Sequence, residues 1–148
     1  MDDLHDRHAD ALDVVVTSVS SDAHTWNLVY LQLLLEELGH RVTNLGACVP
    51  EALLVSRCAE LLPDLVVVSS VNGHGWRDGA RAVQALRANE QLATTPAVIG
   101  GKLGIDGPQG PQLRQALVAA GFDEVFEDGC DPAAFTAYLA GVHRRRVA

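Results

Sequence analysis

Two continuous apolar runs, Val14-Val15-Val16-Thr17-Ser18-Val19 and Leu65-Val66-Val67-Val68, constrain the fold of this chain more than any other feature. Neither alternates apolar with polar residues, so both faces of each strand must be covered, as in a parallel sheet held between two layers of helix. Segments of helical spacing fill the intervals, and in order the chain reads as five β-α units. Strands are expected at about Asp13–Ser20, Arg41–Leu45, Asp64–Ser70, Pro96–Gly100 and Asp123–Phe126. Strict alternation with right-handed crossovers gives an α/β, doubly wound parallel sheet in a single domain.

The simplest strand order for such a sheet is 2-1-3-4-5, the flavodoxin-like, or Rossmann-like, arrangement. The first helix should run from Trp26 to Leu38 and stop at Gly39, a favourable C-terminal cap. It carries two apolar stripes, Trp26, Val29, Tyr30, Leu33 and Leu34 on one and Leu31, Leu34, Leu35 and Leu38 on the other. One stripe is expected to cover the sheet, the other a partner chain or a neighbouring helix. Leu54, Cys58 and Leu61 mark the inner face of the second helix, Gly79, Ala82, Val83 and Leu86 that of the third, and Leu113, Ala116, Leu117 and Ala120 that of the fourth. Asp131 caps the last helix, with Pro132 in its first turn and Phe135, Leu139 and Val142 inward. Residues 1–12 read as a disordered leader, 13–143 as the domain and 144–148 as a basic tail.

A formal net charge of −8 argues against nucleic acid, whose phosphates demand a basic surface, and against an anionic membrane. No run is long enough to span a bilayer, and the amino end lacks the apolar core of a signal peptide, so a cytoplasmic protein is expected. Three cysteines, Cys48, Cys58 and Cys130, have no CxxC spacing, which argues against a disulfide framework or a structural zinc site.

The loops after strands one, three, four and five all open on the carboxyl edge of such a sheet, where ligands bind. Asp22 and His24, Ser69 to His74, Gly100 to Gly104 and Glu127 to Cys130 should therefore converge there. A histidine that ligates a metal needs its second ring N–H held by an acceptor, and Asp22 is placed to hold His24 in that way. The same two residues also suit a turn or a helix N-terminus. A metal site of Asp22, His24, Cys48 and His74 is a further possibility on the same edge.

The run Asp22-Ala23-His24-Thr25-Trp26-Asn27 resembles the DxHxxG signature of cobalamin-binding domains, in which the histidine replaces the lower axial base of the corrinoid cobalt. The likeness extends through Ser69-Ser70-Val71, where the family has SxL, and Gly100-Gly101, where it has GG. From Val14 to about Pro132 the chain most resembles the small, cobalamin-binding subunits of glutamate mutases, also called methylaspartate mutases. Asn27 departs from the family glycine and Val71 from the family leucine.

The resemblance implies that this chain binds adenosylcobalamin with its tail base displaced. His24 would be the axial cobalt ligand and Asp22 its supporting carboxylate. Ser21, Ala23, Thr25 and Asn27 would lie around the corrinoid, and Ser69, Ser70 and Val71 along its nucleotide tail. Gly73, Gly100, Gly101 and Gly104 would allow close approach, and Gly129, Cys130 and Pro132 would close the far end. The crevice flanked by strands one and three is where the tail could go. By the same resemblance, a larger barrel-type subunit would bind the amino-acid substrate in a hetero-oligomer that rearranges glutamate to 3-methylaspartate, the isolated chain being inert. The competing expectation is a methyl carrier using methylcobalamin, or a cobalamin-based sensor. Such proteins usually place a helical bundle before this fold, and only Met1 to Leu12 precede strand one here. A phosphoacceptor receiver would need an aspartate where this chain has Ser69-Ser70.

Overall fold

The computed structural model of the protein describes residues 11–142, apart from 74, 102, 104–109 and 128–130. The described elements are β1 (Asp13–Thr17), α1 (Trp26–Glu37), β2 (Arg41–Asn44), α2 (Glu51–Leu61), β3 (Leu65–Ser70), α3 (Gly75–Ala88), β4 (Ala97–Gly101), α4 (Pro111–Ala120), β5 (Glu124–Glu127) and α5 (Pro132–Ala140). All neighbouring strands pair in parallel, in the expected order β2-β1-β3-β4-β5.

The unbroken apolar strands are buried on both sides, and alternate residues feed two separate cores. Val15, Val66, Val68, Ala97 and Ile99 face α2, α3 and α4, where they meet Leu54, Cys58, Val83, Leu86 and Leu117. Val14, Val16, Val67 and Val98 face α1 and α5, where they meet Leu28, Leu35, Phe135 and Leu139. The loop after β1 thus leads to one face of the sheet and the loop after the adjacent β3 to the other, which makes the gap between their carboxyl ends the topological switch point.

Three local expectations change. Ala11 and Leu12, assigned to the leader, are buried, and Leu12 donates its N–H to His40 Nδ1 at 3.0 Å while its carbonyl accepts from Arg41 N at 2.9 Å. Leu12 completes the apolar layer under α1, so the packed domain includes both residues. Strand β1 ends at Thr17, not Ser20, because Ser18 N turns to Gly46 O and Asp22 N closes a turn onto Val19 O. On α1 the buried positions are Leu28 and Leu35, with Leu31 and Leu34 packed alongside. Leu28 belongs to neither stripe read from the sequence, whereas Trp26 and Leu33 are 84% and 62% exposed. Val29 and Tyr30 are exposed as well. No described helix is long and apolar enough to cross a membrane.

Candidate functional site

Asp22 sits at the switch point with no solvent exposure at all. Its Oδ1 accepts from the His24 backbone N–H at 2.9 Å and lies 2.6 Å from His24 Nδ1. Its Oδ2 accepts from Val71 N at 2.7 Å and Ser70 Oγ at 3.0 Å. Burial pushes the carboxyl pKa up, but these hydrogen bonds outweigh it and hold the group below its usual 3.8. An ionised carboxylate only accepts, so the hydrogen between Asp22 and His24 belongs to Nδ1, which leaves Nε2 of a neutral imidazole with its lone pair. The ring itself is 61% exposed. Sequence thus places a buried anion under an exposed, tautomerically fixed nitrogen base, and β3 supplies half of the support.

The loop is fixed from other sides as well. The Asp22 carbonyl accepts from Cys48 N at 2.9 Å and from Ser18 Oγ at 3.2 Å. Ser21 Oγ donates to Asp78 on α3, and Asn72 Nδ2 donates to Ser21 O and Oγ. His24 is therefore presented by a rigid platform, as a positioned ligand requires.

Below this platform a cavity of about 300 Å³ opens between α1 and α5, over β3 and β4. Leu31, Leu34, Val67, Val98, Phe126 and Phe135 make it apolar, and Asn27, Tyr30 and Ser69 are the polar side chains along it. Strand β1 does not line it. The reason is the seat of α1, which packs over β1 and β2 and leaves the gap one strand further on. Phe126 holds the other wall in edge-to-face contact with Phe135 and Tyr138 of α5.

The residues singled out in the sequence divide between these two parts. Asn27, Ser69, Val71, Gly100, Gly101 and Pro132 line the slot. Asp22, His24 and Ser70 form the platform, Ser70 being fully buried and turned to the carboxylate, away from the slot. Ser21, Ala23 and Thr25 are exposed around the imidazole, and Gly73 is buried in the β3–α3 loop. Gly104, Gly129 and Cys130 lie outside the described residues, as does His74. Gly101 is required by packing: at φ +106° an added Cβ would stand 2.1 Å from the Ser70 carbonyl oxygen. Among the described residues no group of three histidine, cysteine or acidic side chains could hold a metal ion, so Asp22, His24 and Cys48 do not assemble one. Sequence reading missed the aromatic and aliphatic walls of the slot. Their spacing is that of ordinary core residues, and no local signal separates the two uses.

Residues 12–134 match the B12 binding domain family. The chain belongs to that family. Among curated relatives, the glutamate mutase sigma subunit of Halobacterium salinarum is 35% identical over 113 residues, which are 76% of this chain and 74% of that protein. The HTH-type transcriptional repressor CarA of Myxococcus xanthus is 39% identical over 83 residues, 55% of this chain and 28% of that one. Among solved structures, a cobalamin-binding protein from Desulfitobacterium hafniense DCB-2 superposes with a TM-score of 0.69 at 23% identity. That alignment covers 88% of this chain and 60% of the other, and shows a shared fold.

Proposed function

We propose that this protein is the cobalamin-binding subunit of an adenosylcobalamin-dependent carbon-skeleton mutase, most simply glutamate mutase, acting in the cytoplasm with a larger barrel-type subunit that holds the amino-acid substrate. The observation that carries the reading is the exposed His24 imidazole, its Nδ1 held at 2.6 Å by a buried carboxylate, standing above an apolar slot. Its remaining nitrogen would serve as a cobalt ligand, with Asp22 fixing its tautomer and basicity.

The residues fit the group on their own chemistry. The slot has the apolar walls a planar aromatic base needs, and Asn27, one of its lining residues, has a buried Oδ1 without a hydrogen-bond partner. Bound adenosylcobalamin supplies the radical chemistry, and the chain supplies binding, orientation and the axial base. His24 would hold the cobalt, Ser69 and the backbone at Gly100 and Gly101 would accommodate the tail, and Ser70 with Val71 N keeps Asp22 ionised. The larger subunit would hold the substrate, and the isolated chain is expected to be inert.

The identity to glutamate mutase sigma subunits supports this assignment over most of the chain. The B12 binding domain match, taken with the stretch shared with CarA, a transcriptional repressor, supports a second reading, a cobalamin-based sensor. One assay separates them: the protein, adenosylcobalamin, a candidate large subunit and glutamate are combined, and methylaspartate is measured. Product that requires all four components is expected. Product without cobalamin, or none with any large subunit while the cofactor is bound, overturns the mutase reading. In the Co(II) state, nitrogen hyperfine coupling from histidine should be present and lost in His24→Ala; coupling unchanged in the variant excludes His24.

A further inference from the structure

The carboxamide of Asn27 is half satisfied. Its Nδ2 donates to Ser69 Oγ at 2.8 Å and so ties the first turn of α1 to the end of β3, whereas its Oδ1 is sealed from solvent with no partner. Buried polar atoms in folded proteins are almost always paired, and an exception on a residue that lines a cavity is open to pairing by whatever fills it. Both Asn27 and Ser69 line the slot, at its end nearest the carboxyl edge of the sheet. With the nitrogen committed to Ser69, the group left over is the oxygen, which only accepts. Ser69, having accepted from Asn27, keeps its own O–H to donate. Together they offer one acceptor and one donor, and Tyr30 is the only other polar side chain among the described residues along the slot. At the position of Asn27 the DxHxxG signature has glycine, which offers neither.

We infer that Asn27 is a specificity-determining residue of the slot, its Oδ1 accepting a hydrogen bond from an O–H or N–H of the nucleotide tail. This rests on the cobalamin reading above and sharpens it. Two tail groups have the required chemistry: a ribose hydroxyl, present in every nucleotide-bearing corrinoid, and the exocyclic amine of a purine lower base, which dimethylbenzimidazole lacks. The contact adds affinity for the tail and none for the corrin ring.

The test is binding, read by calorimetry and by the absorbance change on displacement of the tail base. The wild-type chain, Asn27→Gly and the volume-matched Asn27→Leu are each titrated with cobalamin, with a corrinoid carrying adenine as its lower base, and with cobinamide, which has no nucleotide. Both substitutions are expected to weaken tailed corrinoids about tenfold, the cost of one buried hydrogen bond, and to leave cobinamide unchanged. Equal losses for the two tailed corrinoids identify the ribose hydroxyl; a loss confined to the adenine form, with wild type preferring that form, identifies the base amine. Tighter binding of cobalamin by Asn27→Gly overturns the inference, because the side chain then only obstructs the slot. An equal loss for cobinamide also overturns it, because the effect then lies in the helix and not in the tail. Failure of the wild-type chain to take up any of the three corrinoids overturns the functional reading itself, which separates the two failures.

Discussion

Asp22 carries its charge where no water reaches, and four hydrogen-bond donors around it settle both the stability of the loop and the state of His24. Replacing it with asparagine keeps the size but leaves one oxygen where two were in use, and turns an N–H₂ group toward a buried donor. The Asp22→Asn chain should lose about 2–3 kcal/mol at neutral pH, read as a lower urea midpoint at constant slope. The sign of the pH dependence follows from the lowered pKa. Because the folded carboxyl titrates below its ordinary 3.8, its contribution is fully present above that value and disappears as pH falls through the lower folded value. The gap in midpoint between wild type and variant should therefore narrow below about pH 4. A gap that stayed constant to low pH would show that Asp22 acts through shape and not charge.

At the scale of elements, α1 is the helix whose two sides serve different ends. Leu28 and Leu35 are its buried residues, while Trp26, Val29, Tyr30 and Leu33 are exposed. Leu28→Ala should cost about 2–4 kcal/mol, the transfer term plus a cavity under the helix, whereas Leu33→Ala should fall within about 0.5 kcal/mol of wild type. Equilibrium denaturation of the two variants checks both values, and comparable losses would mean that the outer side is covered after all. The same helix sets one wall of the slot through Leu31 and Leu34 and the platform through the loop before it. A shift of α1 along the sheet would thus move the slot wall and His24 together.

Across the whole molecule, the half of the sheet away from β1 is tied together by one cation. Arg87 on α3 donates to the carbonyls of Leu92 at 3.0 Å and Thr95 at 2.6 Å, to Gly121 O at 3.0 and 2.9 Å, and to Asp123 Oδ2 at 3.1 Å. It joins the loops that enter β4 and β5, at the end of the sheet opposite the platform. Arg87→Ala should cost about 2–3 kcal/mol, because three carbonyls lose a charged donor together. Corrinoid affinity measured well below the new melting temperature should not change. A large loss of affinity in a fully folded Arg87→Ala chain would show that the opposite edge of the sheet is coupled to the slot.

Strand order, the two helical layers and the nearness of Asp22, His24, Ser69, Ser70 and the Gly100-Gly101 pair were all legible in the residues. Continuous β-branched runs admit few architectures, and in a parallel sheet every strand delivers its following loop to the same edge. Three things were decided only in the folded chain. Ser70 faces the carboxylate and Ser69 the slot, because successive residues of a strand point to opposite faces and only the register of β3 against β1 and β4 says which is which. The slot lies over β3 and β4 because helix packing, and not strand order, sets where a gap between helices falls. The unpaired oxygen of Asn27 was invisible in sequence for the same reason: whether a polar atom is satisfied depends on what is brought next to it from residues far away along the chain.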